Sequence, residues 1–214
     1  MTRIEKFSFE IDDIDRPLDG GIPLPSIISL SYENLISYEV IVKQVVSSNN
    51  PVIYFTTHKN KDSVKKMFEI SSQIDDDVEK RIIPLSLKNP VDDLKEQLDE
   101  LEFDNCLIIV DSITSLEQKT AQKYKYALHT LQQVTSQTDS CALLLGSDRT
   151  NQSNRDITIS MSDVFFHVYE EISGGDDVET FLLVKKNRYG KAIESPFKIE
   201  LSDTLSIDTS RAIA

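Results

Sequence analysis

Short apolar runs rich in β-branched residues alternate along the chain with longer segments whose apolar residues recur at helical spacing. This alternation constrains the fold most, because a strand followed by a crossover helix builds a parallel sheet with helices on its faces. The pattern predicts strands at 26–30, 52–56, 82–85, 106–110 and 141–145, with helices at 37–47, 61–72, 91–101 and 117–137. We therefore expect an α/β fold with a central, mostly parallel sheet flanked by helices.

The pattern changes after the fifth predicted strand. Segments 164–169 and 180–186 flank the turn-rich 173–177 and predict a β-hairpin, and two further strands are predicted at 197–201 and 205–208. We interpret residues 1–214 as one domain, with an α/β core at about 15–170 and a C-terminal antiparallel β extension at about 164–208. The polar stretch 146–156 is the longest predicted loop and follows a central strand, at the sheet edge where ligands usually bind.

The charge balance narrows the classes of partner. The formal net charge is −13, so the surface repels nucleic-acid backbones and anionic membranes, and we expect neither as a partner. No apolar run approaches the roughly 20 residues that span a bilayer, and the N-terminus is too charged for a secretory signal. A cytoplasmic protein is expected, and the acidic excess suits a saline cytoplasm as well as an ordinary one.

The sulfur and imidazole side chains do not predict a metal site. Cys106 and Cys141 each lie at a short apolar run without a nearby Cys or His, so we expect reduced core thiols. His129 and His167 lie within apolar periodic segments and are interpreted as near-core histidines. The spacing of these residues matches no zinc motif.

Four sequence features, taken in order, resemble the RecA-superfamily ATPases of the KaiC and RadA type. The first predicted strand is preceded by the segment Leu-Asp-Gly-Gly-Ile-Pro at 18–23. A second segment, Val-Ile-Tyr-Phe-Thr-Thr, follows at 52–57. The strand Leu-Ile-Ile-Val-Asp-Ser at 107–112 is similar to a Walker B strand, and Lys186-Asn187-Arg188 is similar to the C-terminal KxR element of KaiC-type domains. The tail at 207–211 is similar to that of small RecA-type proteins of halophilic archaea. The resemblance implies a RecA-like P-loop NTPase fold.

The resemblance places the phosphate loop GxxxxGK[ST] on residues 31–38, where its diagnostic residues are missing. Ser31 and Ile36 stand at the two glycine positions, Ser37 at the lysine and Tyr38 at the hydroxyl that holds Mg²⁺. A β-branched residue resists the positive φ that glycine supplies, and the loss of lysine removes the charge that neutralises the phosphates. None of the chain's 6 glycines lies in 31–38, so the sequence predicts a degenerate Walker A.

The other elements implied by the family survive in part. Thr57, His58 and Lys59 stand where KaiC-type ATPases carry glutamates that polarise water, and we interpret them as a solvated loop, with His58 as a base the less favoured alternative. Asp111 and Ser112 close the Walker B strand, where Asp111 would hold a metal only if nucleotide binds and otherwise has a structural role. Lys186 and Arg188 are candidates for reaching a neighbouring subunit's phosphate, or for balancing an acidic surface.

Three functions remain open. The first is a non-catalytic protein, a pseudo-ATPase without cofactor or catalytic residues, that acts as a regulatory or scaffolding module in a homo-oligomer or with an active RecA-type ATPase. The second is an ATPase with an atypical loop, in which Ser31, Asn34 and Ser37 replace backbone donors and Asp111 holds Mg²⁺ beside ATP. The third is a recombination accessory that binds single-stranded DNA through Arg149 and Arg155.

Overall fold

The computed structural model describes residues 5–9, 12–16, 18–33, 35–46, 51–69, 81–100, 102–148, 152–173, 177–190, 193, 195–201 and 205–207. Its strands are β1 Lys6–Phe7, β2 Ile22–Pro23, β3 Ser26–Tyr32, β4 Val52–Thr56, β5 Ile82–Pro84, β6 Leu107–Asp111, β7 Cys141–Ser147, β8 Val164–Ser173, β9 Asp177–Asn187, β10 Phe197–Leu201 and β11 Leu205–Ile207. Its helices are α1 Asp12–Asp15, α2 Leu35–Val46, α3 Lys61–Glu69, α4 Pro90–Glu100, α5 Thr114–Glu117, α6 Ala121–Gln137 and α7 Gln152–Met161.

The central sheet has nine strands within the described ranges, in the order β11-β10-β9-β8-β3-β7-β6-β4-β5. The strands from β8 to β5 in this order run parallel, whereas β9, β10 and β11 join antiparallel at one end. The predicted hairpin is β8–β9, and the pairing of β8 with β3 makes it part of the main sheet. The predicted fold class, a mostly parallel sheet with a C-terminal antiparallel extension, is confirmed.

Helices cover both faces of this sheet, because the amphipathic segments bury the stripes that their periodicity predicts. On one face α2 and α3 pack Tyr38, Ile41 and Phe68 against the strands, and on the other α4 and α6 pack Leu94 and Leu128. Strands covered on both sides need no polar alternation, which is why β4 and β6 are continuous apolar runs that are buried throughout. The predicted core thiols Cys106 and Cys141 are confirmed as buried and free.

Three predictions about the helices and loops are wrong in detail. The helix predicted at 117–137 begins later, as α6 at Ala121, because Thr120 adopts an extended backbone with φ −60° and ψ 146° that separates it from the short α5. The loop predicted at 146–156 is shorter, because β7 continues through Ser147 and α7 begins at Gln152. His129 is exposed rather than near-core, whereas His167 is buried as predicted. None of the helices that the structure describes is long and apolar enough to cross a membrane.

Candidate functional site

Asp111 ends β6 at the carboxyl edge of the parallel strands, between β4 and β7. Its side chain is fully buried. Its backbone carbonyl accepts the N–H of Thr57 at 2.8 Å, which fixes the segment after β4 beside the end of β6. A buried carboxylate at this edge is therefore surrounded by groups that leave the ends of neighbouring strands and helices.

Two tyrosines and one lysine surround the Oδ2 atom of Asp111. The hydroxyl of Tyr54 donates a short hydrogen bond to Oδ2, and the hydroxyl of Tyr38 donates another over 3.4 Å. The ammonium group of Lys59 lies 3.5 Å from the same oxygen and donates to the Tyr38 hydroxyl. Lys59 also pairs with Glu39 at 2.8 Å, so one lysine joins two carboxylates and a phenol.

The second oxygen of Asp111 has a different environment. Its Oδ1 atom accepts no hydrogen bond from any residue that the structure describes. The Nε2 atom of His58 lies 3.6 Å away, and 35% of the His58 side chain is exposed. The prediction that 57–59 is a solvated loop is therefore wrong for Lys59, which is largely buried against Asp111, and holds only in part for His58.

A stacked pair of tyrosines lies where the phosphate loop was predicted. β3 continues through Tyr32 and α2 begins at Leu35, so Glu33 and Asn34 alone connect the strand to the helix. The rings of Tyr32 and Tyr38 stack, with their centroids 4.2 Å apart and an angle of 17° between their planes. The Lys59 ammonium lies 4.8 Å from the centroid of the Tyr38 ring.

The predicted site residues thus divide into three groups. Tyr38, Asp111 and Ser112 meet at the carboxyl edge, with Ser112 Oγ accepting the Thr114 N–H at 3.1 Å where α5 begins. Ser31 lies inside β3 and Ile36 and Ser37 lie in the first turn of α2, whereas Asn34 is outside the described residues. The structure therefore brings together the end of the strand predicted as Walker B and the residue predicted at the Walker A hydroxyl position.

Burial and the Asp111 charge raise the pKa values of all three tyrosines. Burial is the larger cause for each, and the neighbouring carboxylate adds to it because a second negative charge beside Asp111 is unfavourable. The pKa of Tyr32 rises to about 12, and those of Tyr38 and Tyr54 rise well above their ordinary value. The phenols therefore remain protonated, and those of Tyr38 and Tyr54 donate hydrogen bonds to the Asp111 carboxylate.

Lys186 and Arg188 lie at the opposite edge of the parallel strands. Asn187 pairs with Val164, the first residue of β8, which places both basic residues near the amino ends of these strands. The Lys186 ammonium donates to the carbonyls of Ile159, Ser160 and Ser162 at the end of α7, at 2.5–2.9 Å. Arg188 pairs with Asp163 at 2.7 Å and is half exposed. Neither residue approaches Asp111 of its own chain.

Arg155, one of the two proposed DNA contacts, is buried in a polar network. Its Nη2 atom lies 3.3 Å from Oε2 of the fully buried Glu117 and donates to the Ser147 carbonyl. Thr158 donates to the other Glu117 oxygen at 2.6 Å. Only 4% of Arg155 is exposed, so its guanidinium group is not available to a DNA backbone. Arg149 lies outside the described residues.

A further polar cluster was missed by the sequence analysis. Glu33 follows β3, Asp148 follows β7 and His167 lies within β8, with one side-chain ligand atom from each residue within 4.8 Å of the others. The register pairs Ser31 with both Gly146 and His167, which brings these three strands together at this point. Burial, followed by the charge of Lys185, lowers the pKa of His167. The available signal was an acidic residue three positions after each of two predicted parallel strands, those at 26–30 and 141–145.

Comparison with solved structures shows the same architecture in two archaeal proteins. The KaiC-like protein PH0186 of Pyrococcus horikoshii OT3 superimposes with a TM-score of 0.74 at 13% identity, over 96% of this chain and 99% of that one. The flagellar accessory protein FlaH of Methanocaldococcus jannaschii superimposes with a TM-score of 0.70 at 14% identity, over 96% and 99% of the two chains. At such identities the likeness shows the fold alone, a RecA-like domain.

Sequence comparison supplies the family. No curated protein sequence matches this chain. The profile of the family of unknown function DUF7125 matches residues 6–214, which is nearly the whole chain. The chain therefore belongs to the DUF7125 family.

Proposed function

We propose that this RecA-like domain is a pseudo-ATPase that acts as a regulatory or scaffolding module. It would self-associate or dock to an active RecA-type ATPase. The single observation that carries the proposal is the position of Tyr38. This residue stands where a phosphate loop needs a small hydroxyl for Mg²⁺, and its own hydroxyl instead donates to Asp111, the residue that would share that metal.

The surroundings of Tyr38 support the same conclusion. A working phosphate loop wraps backbone N–H groups around a phosphate, which requires several residues that are neither strand nor helix. Here β3 and α2 are separated by two residues, 33 and 34. The space beside Asp111 is occupied by buried phenol rings and by Lys59, so the carboxylate is neutralised from within the chain.

Nucleotide binding is the direct test. Calorimetry with ATP and Mg²⁺ up to about millimolar concentration should give no saturable heat. Urea unfolding of the same sample should give a cooperative transition, which shows that the absence of heat does not come from an unfolded chain. A micromolar ATP site in the natural chain, lost in Asp111→Ala, would contradict the pseudo-ATPase function.

Exposed apolar residues support the scaffolding part of the proposal. Ile172 and Val178 are cross-strand partners near the end of the β8–β9 hairpin, and they are 79% and 59% exposed. A contiguous apolar patch on a surface with a net charge of −13 is a reasonable docking point for another protein. FlaH is named an accessory protein, and an accessory role is what we propose here.

Partner capture tests this part. A pull-down from native extract at the salt concentration of the cell should recover a RecA-type ATPase or further copies of the chain. Ile172→Glu should lose that capture, whereas Leu87→Glu, at an exposed apolar residue on a different loop, should retain it. If neither Ile172→Glu nor Leu87→Glu reduces the capture, the interface does not include these residues.

One observation favours the second function, an ATPase with an atypical loop. Lys59 brings a cation to 3.5 Å from Asp111, from the segment after β4 rather than from a phosphate loop. Under this reading Lys59 would contact the phosphates and Asp111 would hold Mg²⁺. Phosphate release that persists through repeated purification and is abolished in both Lys59→Met and Asp111→Ala would establish it.

A further inference from the structure

The polar cluster formed by Glu33, Asp148 and His167 lies one strand away from the Asp111 site. In the sheet β7 separates β3 from β6, so this cluster has its own position, at the ends of β3 and β7 and beside His167 within β8. Two backbone hydrogen bonds fix the acidic residues there. The Asp148 N–H donates to the Tyr32 carbonyl at 3.0 Å, and the Glu33 N–H donates to the Val168 carbonyl at 3.3 Å.

The imidazole of His167 is oriented by a residue outside the cluster. Its Nδ1 atom is 2.7 Å from the hydroxyl of Ser31, and both residues are buried, with 7% of His167 exposed. Within the described part of the chain, Nε2 forms no hydrogen bond. A histidine with one nitrogen held by a neighbour and the other nitrogen free has the arrangement that metal-binding histidines usually show.

Neither carboxylate of the cluster forms an ion pair in the described part of the chain. Among the residues that the structure describes, the side chains of Glu33 and Asp148 form no hydrogen bond or ion pair, although Lys185 and Arg155 influence the titration of the nearby His167. Like charges this close repel one another, most strongly where one side of the site is buried protein. A divalent cation between the two carboxylates would replace that repulsion with attraction.

We propose that Glu33, Asp148 and His167 form a binding site for a divalent transition-metal ion, with Zn²⁺ as the best fit. One imidazole nitrogen and two carboxylate oxygens are a mixed donor set, which suits Zn²⁺ rather than Mg²⁺ or Ca²⁺. Ser31 is a positioning residue that holds the ring of His167.

The metal would join the ends of β3 and β7 to His167 of β8, which come from distant parts of the sequence. Three protein ligands leave a fourth tetrahedral position for water or for a group from another molecule. The site is independent of the proposed pseudo-ATPase function, because none of its ligands contacts Asp111, Tyr38 or Lys59 in the described structure. A failure of the chain to bind Zn²⁺ would therefore not count against the proposed pseudo-ATPase function.

The test is a titration of the full, chelator-treated chain with ZnCl₂, followed by calorimetry and by metal analysis after dialysis. We expect one Zn²⁺ per chain with a Kd of about micromolar or tighter, and a rise in Tm on addition of Zn²⁺. An approximately 100-fold excess of Mg²⁺ should not displace it. The absence of saturable 1:1 binding, or displacement by Mg²⁺, would overturn the proposal.

Variants identify the ligands. Glu33→Gln and Asp148→Asn change exposed residues, so the fold should survive, and each should weaken Zn²⁺ binding at least about 100-fold and remove the Tm rise. His167→Gln should do the same, and Ser31→Ala should weaken binding by about 10-fold to 100-fold. Asp99→Asn removes one exposed negative charge from α4 and is the matched control, which should bind as the natural chain does. Unchanged affinity in both Glu33→Gln and Asp148→Asn would refute the site.

Discussion

The ammonium group of Lys59 lies 3.5 Å from the carboxylate of Asp111, although the two residues leave the ends of different strands. Asp111 is fully buried, and 16% of the Lys59 side chain is exposed. A lysine that follows β4 thus places its positive charge beside the buried carboxylate at the end of β6. Here that charge stabilises the protein itself, because Asp111, Tyr38 and Glu39 are its partners.

Removing Lys59 should therefore destabilise the fold. Lys59→Met leaves the buried Asp111 charge with tyrosine donors alone, and we expect a loss of roughly 1–3 kcal/mol in the free energy of unfolding. Asp111→Asn in the same chain should recover part of that loss, because the uncompensated charge is then gone. Urea unfolding of the two single variants and the double variant measures the coupling. Lys61→Met, at an exposed position nearby, is the control, and strictly additive effects would show that the pair does not interact.

The tyrosines around Asp111 should make the protein sensitive to high pH. Their folded-state pKa values are raised above the ordinary value of 10.0. Below pH 10 the phenols are therefore protonated in both the folded and the unfolded state, and their contribution to stability is fully present. Above pH 10 the unfolded state loses protons first, and stability falls as pH rises, by about 1.4 kcal/mol per pH unit for each tyrosine. For Tyr32 this loss ends near its folded pKa of about 12.

Thermal or urea unfolding between about pH 9 and pH 11.5 measures this slope. Tyr38→Phe should reduce it by about 1.4 kcal/mol per pH unit, because one titrating group is removed. Phe68→Leu is a matched control, since Phe68 packs edge-on against Tyr54 at 5.4 Å and its loss should lower stability at every pH without changing the slope. A slope that is the same in Tyr38→Phe and in the natural chain would contradict the burial of this phenol.

Most of the architecture could be predicted because it depends on periodicity and strand order. The strand predicted at 52–56 is β4 with the same bounds, and the helices predicted at 61–72 and 91–101 bury apolar residues, Val64 and Leu94 among them, on opposite faces. An apolar stripe specifies which face of a helix is buried, and short strands separated by helices specify a parallel sheet. These are local properties of the sequence.

The sites could be predicted only in part, because side chains meet across strands that are distant in sequence. Asp111 was identified from the end of an apolar strand, but its contact with Lys59 depends on the direction in which the segment after β4 turns. The Glu117–Arg155 pair was missed because a charged side chain in a polar segment is expected to be exposed to solvent unless a buried partner is known. The same segment was interpreted as a loop for that reason, and α7 occupies much of it.

Breaking the buried Glu117–Arg155 pair should be costly. Arg155→Met leaves a fully buried glutamate beside Thr158, and we expect a loss of about 3–5 kcal/mol in the free energy of unfolding. Glu117→Gln combined with Arg155→Met should be more stable than Arg155→Met alone. Arg188→Met breaks a half-exposed pair with Asp163 and should cost about 0–1 kcal/mol. Equal losses in Arg155→Met and Arg188→Met, measured by urea unfolding, would argue against a structural role for the buried pair.

The two glycines of the Leu-Asp-Gly-Gly-Ile-Pro segment should tolerate substitution differently. Gly20 has φ +85° and a Cβ there would meet no atom within 4 Å, whereas Gly21 has φ +115° and a Cβ would lie 2.3 Å from the carbonyl oxygen of Phe7. Gly20→Ala therefore carries only the cost of the left-handed backbone, about 1–2 kcal/mol. Gly21→Ala adds a clash with β1, where Phe7 pairs with Ile22, and should cost more than about 3 kcal/mol. Urea unfolding of the two variants compares them directly. If Gly21→Ala were no worse than Gly20→Ala, the close approach of β1 to this turn would not be a requirement of the fold.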